Sequence, residues 1–201
     1  VTSDTNGTSD LFLRDLTSNT TTIISVDSVG TQGNGKSKSA DISSDGQYVV
    51  FASEASNLVT QDTNGMWDIF IHHRTTSTTK SISSALVSAD GDSVSPAISG
   101  DGNFIVFSSD ATNLIPRDTN AATGVFMYDV ARNTISRISF DGNGVQLADN
   151  SNNPAISNDG RYVTYLSAIS GENHVFLYDR LSNKNLDIYN IGGDGYDNSV
   201  Y

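Results

Sequence analysis

Hydrophobic residues in this chain come in short runs separated by polar turns, and the runs follow two patterns. One kind is apolar at consecutive positions, as in QYVVFAS at 47–53, and predicts a strand buried on both faces. The other kind alternates, as in TISRI at 134–138, and predicts an outer strand with one face in water. No stretch keeps a 3.6-residue period, so the pattern predicts an all-β fold.

Three markers recur in step along the chain, which indicates an internal repeat. The first is an Asp-Gly pair followed by an apolar strand, and its Asp45, Asp101 and Asp159 lie 56 and 58 residues apart. The Asp-Gly pairs predict type I′ hairpin turns, in which both central residues have positive φ. The second marker is an Asp-Thr-Asn-Gly loop and the third is an aromatic strand. The loop stands in SDTNGTSDLF at 3–12, QDTNGMWDIF at 61–70 and a diverged copy, RDTNAATGVF, at 117–126; the aromatic strand stands at 11–16, 69–74, 125–130 and 175–180.

Each repeat unit predicts four antiparallel strands whose core forms only between neighbouring units, as in the blades of a β-propeller. The predicted fold is therefore an all-β propeller of four-stranded antiparallel blades, with about three and a half blades in this chain. We expect one partial propeller over 1–201. Its predicted parts are a half blade at about 1–27, blades at about 40–84, 96–140 and 154–190, and the start of another at 191–201. We expect its bare end faces to be closed by further chain rather than by a second copy.

Two stretches carry a family resemblance. SPAISGDGNFIVFSSDATNL at 95–114 and DTNGMWDIFIHHR at 62–74 are similar to the repeats of the TolB-like, or PD40, family of WD40-like propellers. The similarity covers nearly the whole chain, although the chain lacks the Trp-Asp dipeptide that true WD40 repeats carry at a strand end. The resemblance implies a propeller, commonly six-bladed, of a bacterial envelope or secreted protein. It therefore predicts an extracellular, cell-surface or periplasmic location.

Composition narrows the classes of partner. The 201 residues carry a net charge of −12, with a pI near 4.3, which argues against a nucleic-acid partner because phosphate contacts need clustered Lys and Arg. An acidic surface favours cations and basic partners instead. The absence of cysteine excludes disulfides and thiolate metal sites. No run of about 18 apolar residues occurs, so the sequence predicts no membrane span.

Alternating strand direction places the Asp-Thr-Asn-Gly loops on the same face as the loops that join one blade to the next. Those inter-blade loops are predicted at 27–39, 85–95 and 141–153, and they are rich in Asp, Asn and Gly. The Asp-Gly turns lie on the opposite face. We therefore expect the acidic loop face to be the binding face, for a protein or carbohydrate ligand.

The repeated loop has two interpretations, both left open by the sequence. In the first it binds calcium, the only predicted cofactor, because hard cations prefer oxygen ligands on alternate loop residues. The predicted ligands are the side chains of Asp62, Asn64 and Asp68 with the Met66 carbonyl, and in the first copy Asp4, Asn6, Thr8 and Asp10. In the second interpretation Asp and Asn cap a turn through their own backbone while Gly takes positive φ. A bidentate Glu at the twelfth position, as in an EF-hand, is lacking.

No arrangement of catalytic residues stands out, and a residue that recurs in every repeat is more consistent with structure than with catalysis. The doublet His72-His73 lies in a strand, so its two rings face opposite sides and cannot share a metal. His174 is predicted to be a polar turn residue, and Trp67 to pack between blades.

The sequence thus predicts a non-catalytic binding or scaffold module. One alternative is an accessory propeller of a hydrolase or lyase whose catalytic part lies outside this chain. Another is a structural subunit, a homo-oligomer that closes or extends the partial propeller through its open blade edges.

Overall fold

The computed structural model describes residues 4–60, 62–83, 88–169 and 171–188 of the chain. These residues form antiparallel sheets in which each strand pairs with the next along the chain. A two-stranded half-blade comes first, and three four-stranded blades follow it. The half-blade holds β1 (Phe12–Asp15) and β2 (Thr20–Ile23); blade 2 holds β3 (Ser37–Ile42), β4 (Tyr48–Ser53), β5 (Asp68–His73) and β6 (Thr78–Ser81); blade 3 holds β7 (Ser93–Ile98), β8 (Phe104–Ser109), β9 (Gly124–Asp129) and β10 (Thr134–Arg137); blade 4 holds β11 (Ser151–Ile156), β12 (Tyr162–Ile169), β13 (Glu172–Asp179) and β14 (Lys184–Asp187).

This architecture confirms the all-β prediction of four-stranded blades, and the described sheets do not close into a ring. The first strand of each blade begins at Ser37, Ser93 or Ser151, upstream of the predicted starts at 40, 96 and 154. The expected start of another blade at 191–201 lies outside the described residues.

The core lies between blades, as the consecutive apolar runs predict. Five of the six residues of β4, and of β8, are buried, because each of these strands has a neighbouring sheet on both sides. Each blade places one pair of stacked aromatic rings in this core, with centroids between 5.3 and 5.9 Å apart. The pairs are Phe51–Phe70, Phe107–Phe126 and Tyr165–Phe176. Such a pair adds roughly 0.5–1.5 kcal/mol to the hydrophobic contribution of its burial.

The Asp-Gly turns are not of type I′. Gly46, Gly102 and Gly160 have φ between 66° and 74°, but the preceding aspartates do not have positive φ. In the first of these turns, Gly46 N–H donates to the Ser43 carbonyl and Ser43 N–H donates to the Tyr48 carbonyl, so glycine alone takes the left-handed conformation. The reason is a Ser-x-Asp-Gly motif in which the Ser43 hydroxyl donates to Asp45 Oδ1 at 2.6 Å. This side-chain bond holds aspartate in an ordinary backbone conformation.

The same glycines allow neighbouring blades to approach closely. The ring of Phe104, at the start of β8, lies so near Gly160 that a Cβ there would be 2.4 Å from its Cδ2 atom. Tyr48 lies in the same way against Gly102, where the distance would be 2.9 Å. The aromatic residue that opens the second strand of a blade therefore packs on the turn glycine of the next blade.

Candidate functional site

The loops between second and third strands interlock with the inter-blade loops on one face, named here the loop face. Asn57 and Asn113 anchor this contact, each donating from Nδ2 to a carbonyl of the preceding inter-blade loop. The acceptors are Gln32 and Ser88, both at 2.9 Å. The prediction that the two sets of loops share a face is confirmed by these bonds. The opposite face, named the turn face, holds the Ser-x-Asp-Gly turns and the turns between third and fourth strands, linked by bonds such as Arg74 N–H to the Gln47 carbonyl.

The asparagine of each Asp-Thr-Asn-Gly loop organises a tight turn. Asn64 Oδ1 accepts the Met66 N–H at 3.0 Å, and Gly65 follows with φ of 69°. Nδ2 of the same side chain donates to the Ala89 carbonyl at 3.1 Å. Asn6 and Asn120 make the corresponding pairs of bonds. The capped-turn interpretation therefore describes these loops, and calcium binding stays a prediction beside it.

Below the loop of blade 2, two buried carboxylates lie near one another. Asp68 is fully buried; it accepts the Ser83 hydroxyl at Oδ1 and Asn64 Nδ2 at Oδ2, at 2.5 and 3.0 Å. Asp62 is 6% exposed. Burial and the nearby charge of Asp68 raise the pKa of Asp62 to about 6, and the Asn64 backbone N–H offsets this only in part. Met66, the fourth predicted ligand, is exposed at the rim.

In the half-blade, a glutamine amide bridges the corresponding carboxylates. Gln32 Nε2 donates to Asp10 Oδ2 at 2.7 Å and to Asp4 Oδ1 at 3.1 Å. The Ser25 hydroxyl donates to Asp10 Oδ1 at 2.5 Å, as Ser83 does to Asp68 in blade 2. Thr8, predicted as a ligand, turns its hydroxyl to the Gly35 carbonyl instead. Two carboxylates are thus stabilised by uncharged hydrogen-bond donors from the chain.

Blade 3 replaces one carboxylate with a cation. Gly124 stands where blade 2 has Asp68, and Arg137 Nη1 enters the space and binds both oxygens of Asp118 at 2.8 and 2.9 Å. Both side chains are 3% exposed. A Cβ at position 124 would lie 2.8 Å from the guanidinium carbon, so glycine makes room for this ion pair. Sequence reasoning missed Arg137, although the loss of the loop aspartate at 124 was a signal of it.

Blade 4 has neither the loop nor the aspartate. Its third strand starts early, at Glu172, and places His174 Nδ1 2.6 Å from Asp187 Oδ2. Both side chains are largely buried, at 12% and 11% exposure. The prediction that His174 is a turn residue is therefore wrong, because the shortened hairpin brings it into β13. Within the described residues, no three His, Cys, Asp or Glu side chains assemble into a metal-binding group.

Trp67 and the two adjacent histidines have structural roles. Trp67 is half-buried against the core between blades 2 and 3, with Lys38 Nζ 3.8 Å from its ring centroid. His72 is buried and bonded to Thr79 Oγ1 at 2.9 Å, while His73 meets the edge of Tyr48. The doublet therefore divides between two surroundings, as predicted.

Charge is divided unequally between the two faces. Acidic and basic side chains are balanced on the turn face, where Arg161 pairs with Asp179 at 3.0 Å and lowers the pKa of that aspartate to about 2. The exposed basic residues near the loop face are Lys36, Lys38 and Arg117. The exposed or half-buried acidic residues there are more numerous and include Asp27, Glu54, Asp90, Asp92, Asp110, Asp141 and Asp149. The chain's negative charge is therefore concentrated on the loop face.

Comparison with known proteins identifies the fold. No family model matches the chain, and no curated protein matches it by sequence. Among solved structures, TolB from Acinetobacter baumannii is similar, with a TM-score of 0.58 and 20% identity over 88% of this chain and 36% of that one. A putative TolB from Agrobacterium tumefaciens has a TM-score of 0.57 and 16% identity over 90% of this chain and 58% of that one. The chain has the blade fold of TolB-like β-propellers.

This similarity concerns the fold, and the chain spans less than two thirds of either structure. A structure from a study of two prolyl endopeptidases is also similar, with a TM-score of 0.57 and 13% identity over 88% of this chain and 25% of that one. The same blade fold is thus similar both to TolB structures and to a structure from work on prolyl endopeptidases, so the fold does not assign an activity. Within the part of the chain that the structure describes, no helix has the length and apolar character needed to cross a membrane.

Proposed function

We propose that this chain is part of a non-catalytic propeller module that binds a basic protein segment on its loop face. The observation that carries the proposal is the concentration of acidic side chains on that face, beside a turn face of balanced charge. Clustered carboxylates attract cationic partners and accelerate their encounter. The loops that present them are cross-linked by the Asn57 and Asn113 bonds, so the surface is preorganised and binding orders few loop residues.

The expected setting is the periplasm, the cell surface or the extracellular space. Two observations support this location. The blades are similar to those of TolB structures, and the sequence resembles the repeats of a family found in bacterial envelope or secreted proteins. Calcium-rich surroundings outside the cytoplasm would also suit an acidic loop face.

Binding of a fluorescent lysine-rich peptide, measured by anisotropy at two salt concentrations, tests the function. We expect binding that weakens as salt rises, since the contact is between charges at a solvated surface. Asp90→Asn combined with Asp149→Asn should weaken it severalfold. The matched control, Asp101→Asn with Asp159→Asn on the turn face, should leave it unchanged. Equal affinity for a glutamate-rich peptide, or equal loss in both double variants, would contradict a basic partner.

A second candidate is self-association through the open blade faces, and one observation favours it. Phe12 is 42% exposed, whereas the phenylalanines at the same repeat position, Phe70, Phe126 and Phe176, are 3% exposed or less. An uncovered core position of this kind stabilises a contact with another sheet. The solution mass distinguishes this candidate: multiples of 21.4 kDa support it, and a monomer at all concentrations contradicts it.

A further inference from the structure

One pocket below the loop face recurs in every blade, and the groups that lie against its carboxylates differ from blade to blade. It lies where the third strand begins and the fourth strand ends. The residues two positions before the repeated phenylalanine of the third strand are Asp10, Asp68, Gly124 and His174. The residues paired with that phenylalanine at the end of the fourth strand are Ile23, Ser81, Arg137 and Asp187. In the half-blade, blade 3 and blade 4, a nitrogen of Gln32, Arg137 or His174 lies against the carboxylate of that pocket.

Blade 3 shows that this pocket accommodates a cation among oxygen atoms. The Arg137 guanidinium contacts the Asp118 carboxylate, Asn120 Oδ1 at 3.2 Å and Ser139 Oγ at 3.0 Å. Those three side chains correspond in the repeat to Asp62, Asn64 and Ser83 of blade 2. The same three positions thus surround a positive charge in one blade of this chain.

Blade 2 keeps these oxygen-bearing residues but has Ser81 in the position of the arginine. Asp62 is 6% exposed, and the backbone N–H of Asn64 donates to its carboxylate. Every Lys, Arg and His of the sequence lies within the described residues, and none of them forms an ion pair with Asp62. The residue that corresponds to Gln32 is Ser88, which is exposed and too short to bridge two carboxylates. Asp62 is therefore a buried carboxylate without a cationic side chain.

We propose that the Asp62–Asp68 pocket of blade 2 binds one divalent metal ion of the calcium class, in the place that the Arg137 guanidinium holds in blade 3. A buried carboxyl group keeps its negative charge only when a cation or several donors compensate it, and otherwise it takes up a proton. The surrounding side chains offer oxygen and no thiolate, which selects a hard cation. The half-blade pocket, where Gln32 already bridges Asp4 and Asp10, does not take the ion.

The test is titration of the chelator-treated 201-residue chain with calcium chloride, by calorimetry and by thermal unfolding. We expect one site per chain. Calcium at about 100 times its dissociation constant should raise the folding equilibrium constant about 100-fold. Asp62→Asn should abolish the heat and the shift in Tm. Asp4→Asn, at the same position of the half-blade, is the matched control and should leave both unchanged.

A second variant keeps the proposal testable if Asp62→Asn does not fold. Asp68→Gly combined with Ser81→Arg gives blade 2 the residues of blade 3, and we expect this chain to fold without calcium and not to respond to it. Three results would overturn the proposal: no calcium response in the parent chain, a response that Asp4→Asn removes, or a response that survives the Asp68→Gly and Ser81→Arg exchange.

Discussion

The buried ion pair of blade 3 gives the sharpest test of how these pockets are stabilised. Asp118→Asn removes the carboxylate and leaves the Arg137 guanidinium, 3% exposed, without its counter-charge. Breaking a buried pair by removing one partner costs about 3–5 kcal/mol, because the remaining charge stays desolvated. For a chain of this length, that corresponds to a Tm lower by about 10 °C. Urea unfolding should show a lower midpoint with an unchanged m-value.

A double-mutant cycle separates the pair from its surroundings. The double variant combines Asp118→Asn with Arg137→Ser, since serine is the residue that blade 2 has at the corresponding position, 81. It removes both charges, so it should lower the free energy of unfolding much less than Asp118→Asn alone. Asp129→Asn is the surface control: it breaks an ion pair with Arg132, whose side chain is 74% exposed, and should cost at most about 1 kcal/mol. If Asp118→Asn is no more destabilising than this control, the guanidinium is not held by charge compensation and the reasoning fails.

Three further predictions concern packing, backbone strain and pH. Phe126→Ala should cost about 3–5 kcal/mol in urea unfolding, whereas Phe12→Ala at the equivalent exposed position should cost far less; equal costs would contradict a core between blades. Gly160→Ala should destabilise more than Gly144→Ala, since both have positive φ but only the former would press a Cβ against an aromatic ring, and thermal melts of the pair should show it. In chelator, the free energy of unfolding should fall as pH rises from about 4 to about 6. The reason is that the Asp62 pKa is about 6 in the folded chain, so folding favours the protonated form. Asp62→Asn should remove this pH dependence, and a pH profile of stability that the variant leaves unchanged would argue against the raised pKa.

The sequence was sufficient to predict the blades because the repeat placed the same pattern at the same position several times. The consecutive apolar residues of β4 and β8 predicted strands covered on both sides, and both strands are buried. The prediction of type I′ turns was wrong for a local reason. The Asp-Gly signal is shared by two kinds of hairpin, and the Ser43 hydroxyl bond to Asp45 favours the one in which glycine alone has positive φ.

The pocket could be predicted only in part from the sequence. The spacing of Asp62, Asn64 and Asp68 placed these residues in one loop, but it did not show that Asn64 would use its oxygen on its own turn and its nitrogen on Asp68. The loss of the aspartate at 124 signalled a change in the pocket, but it did not identify Arg137, which lies 19 residues beyond Asp118, in β10. Only the pairing of β9 with β10 brings its side chain beside Gly124.

The internal repeat also separates structural chemistry from functional chemistry. The serine, aspartate and glycine of the turn between first and second strands recur in all three full blades, with the same serine-to-aspartate bond at 2.5–2.6 Å. These residues make the same hydrogen bond in each blade, as expected of a turn that the fold requires. The pocket below the loop face instead contains an amide, a guanidinium or a histidine in different blades, while the need to compensate a carboxylate stays constant. In blade 2 no side chain of these three kinds among the described residues is bonded to Asp62, so blade 2 is where a ligand from solution has a reason to bind.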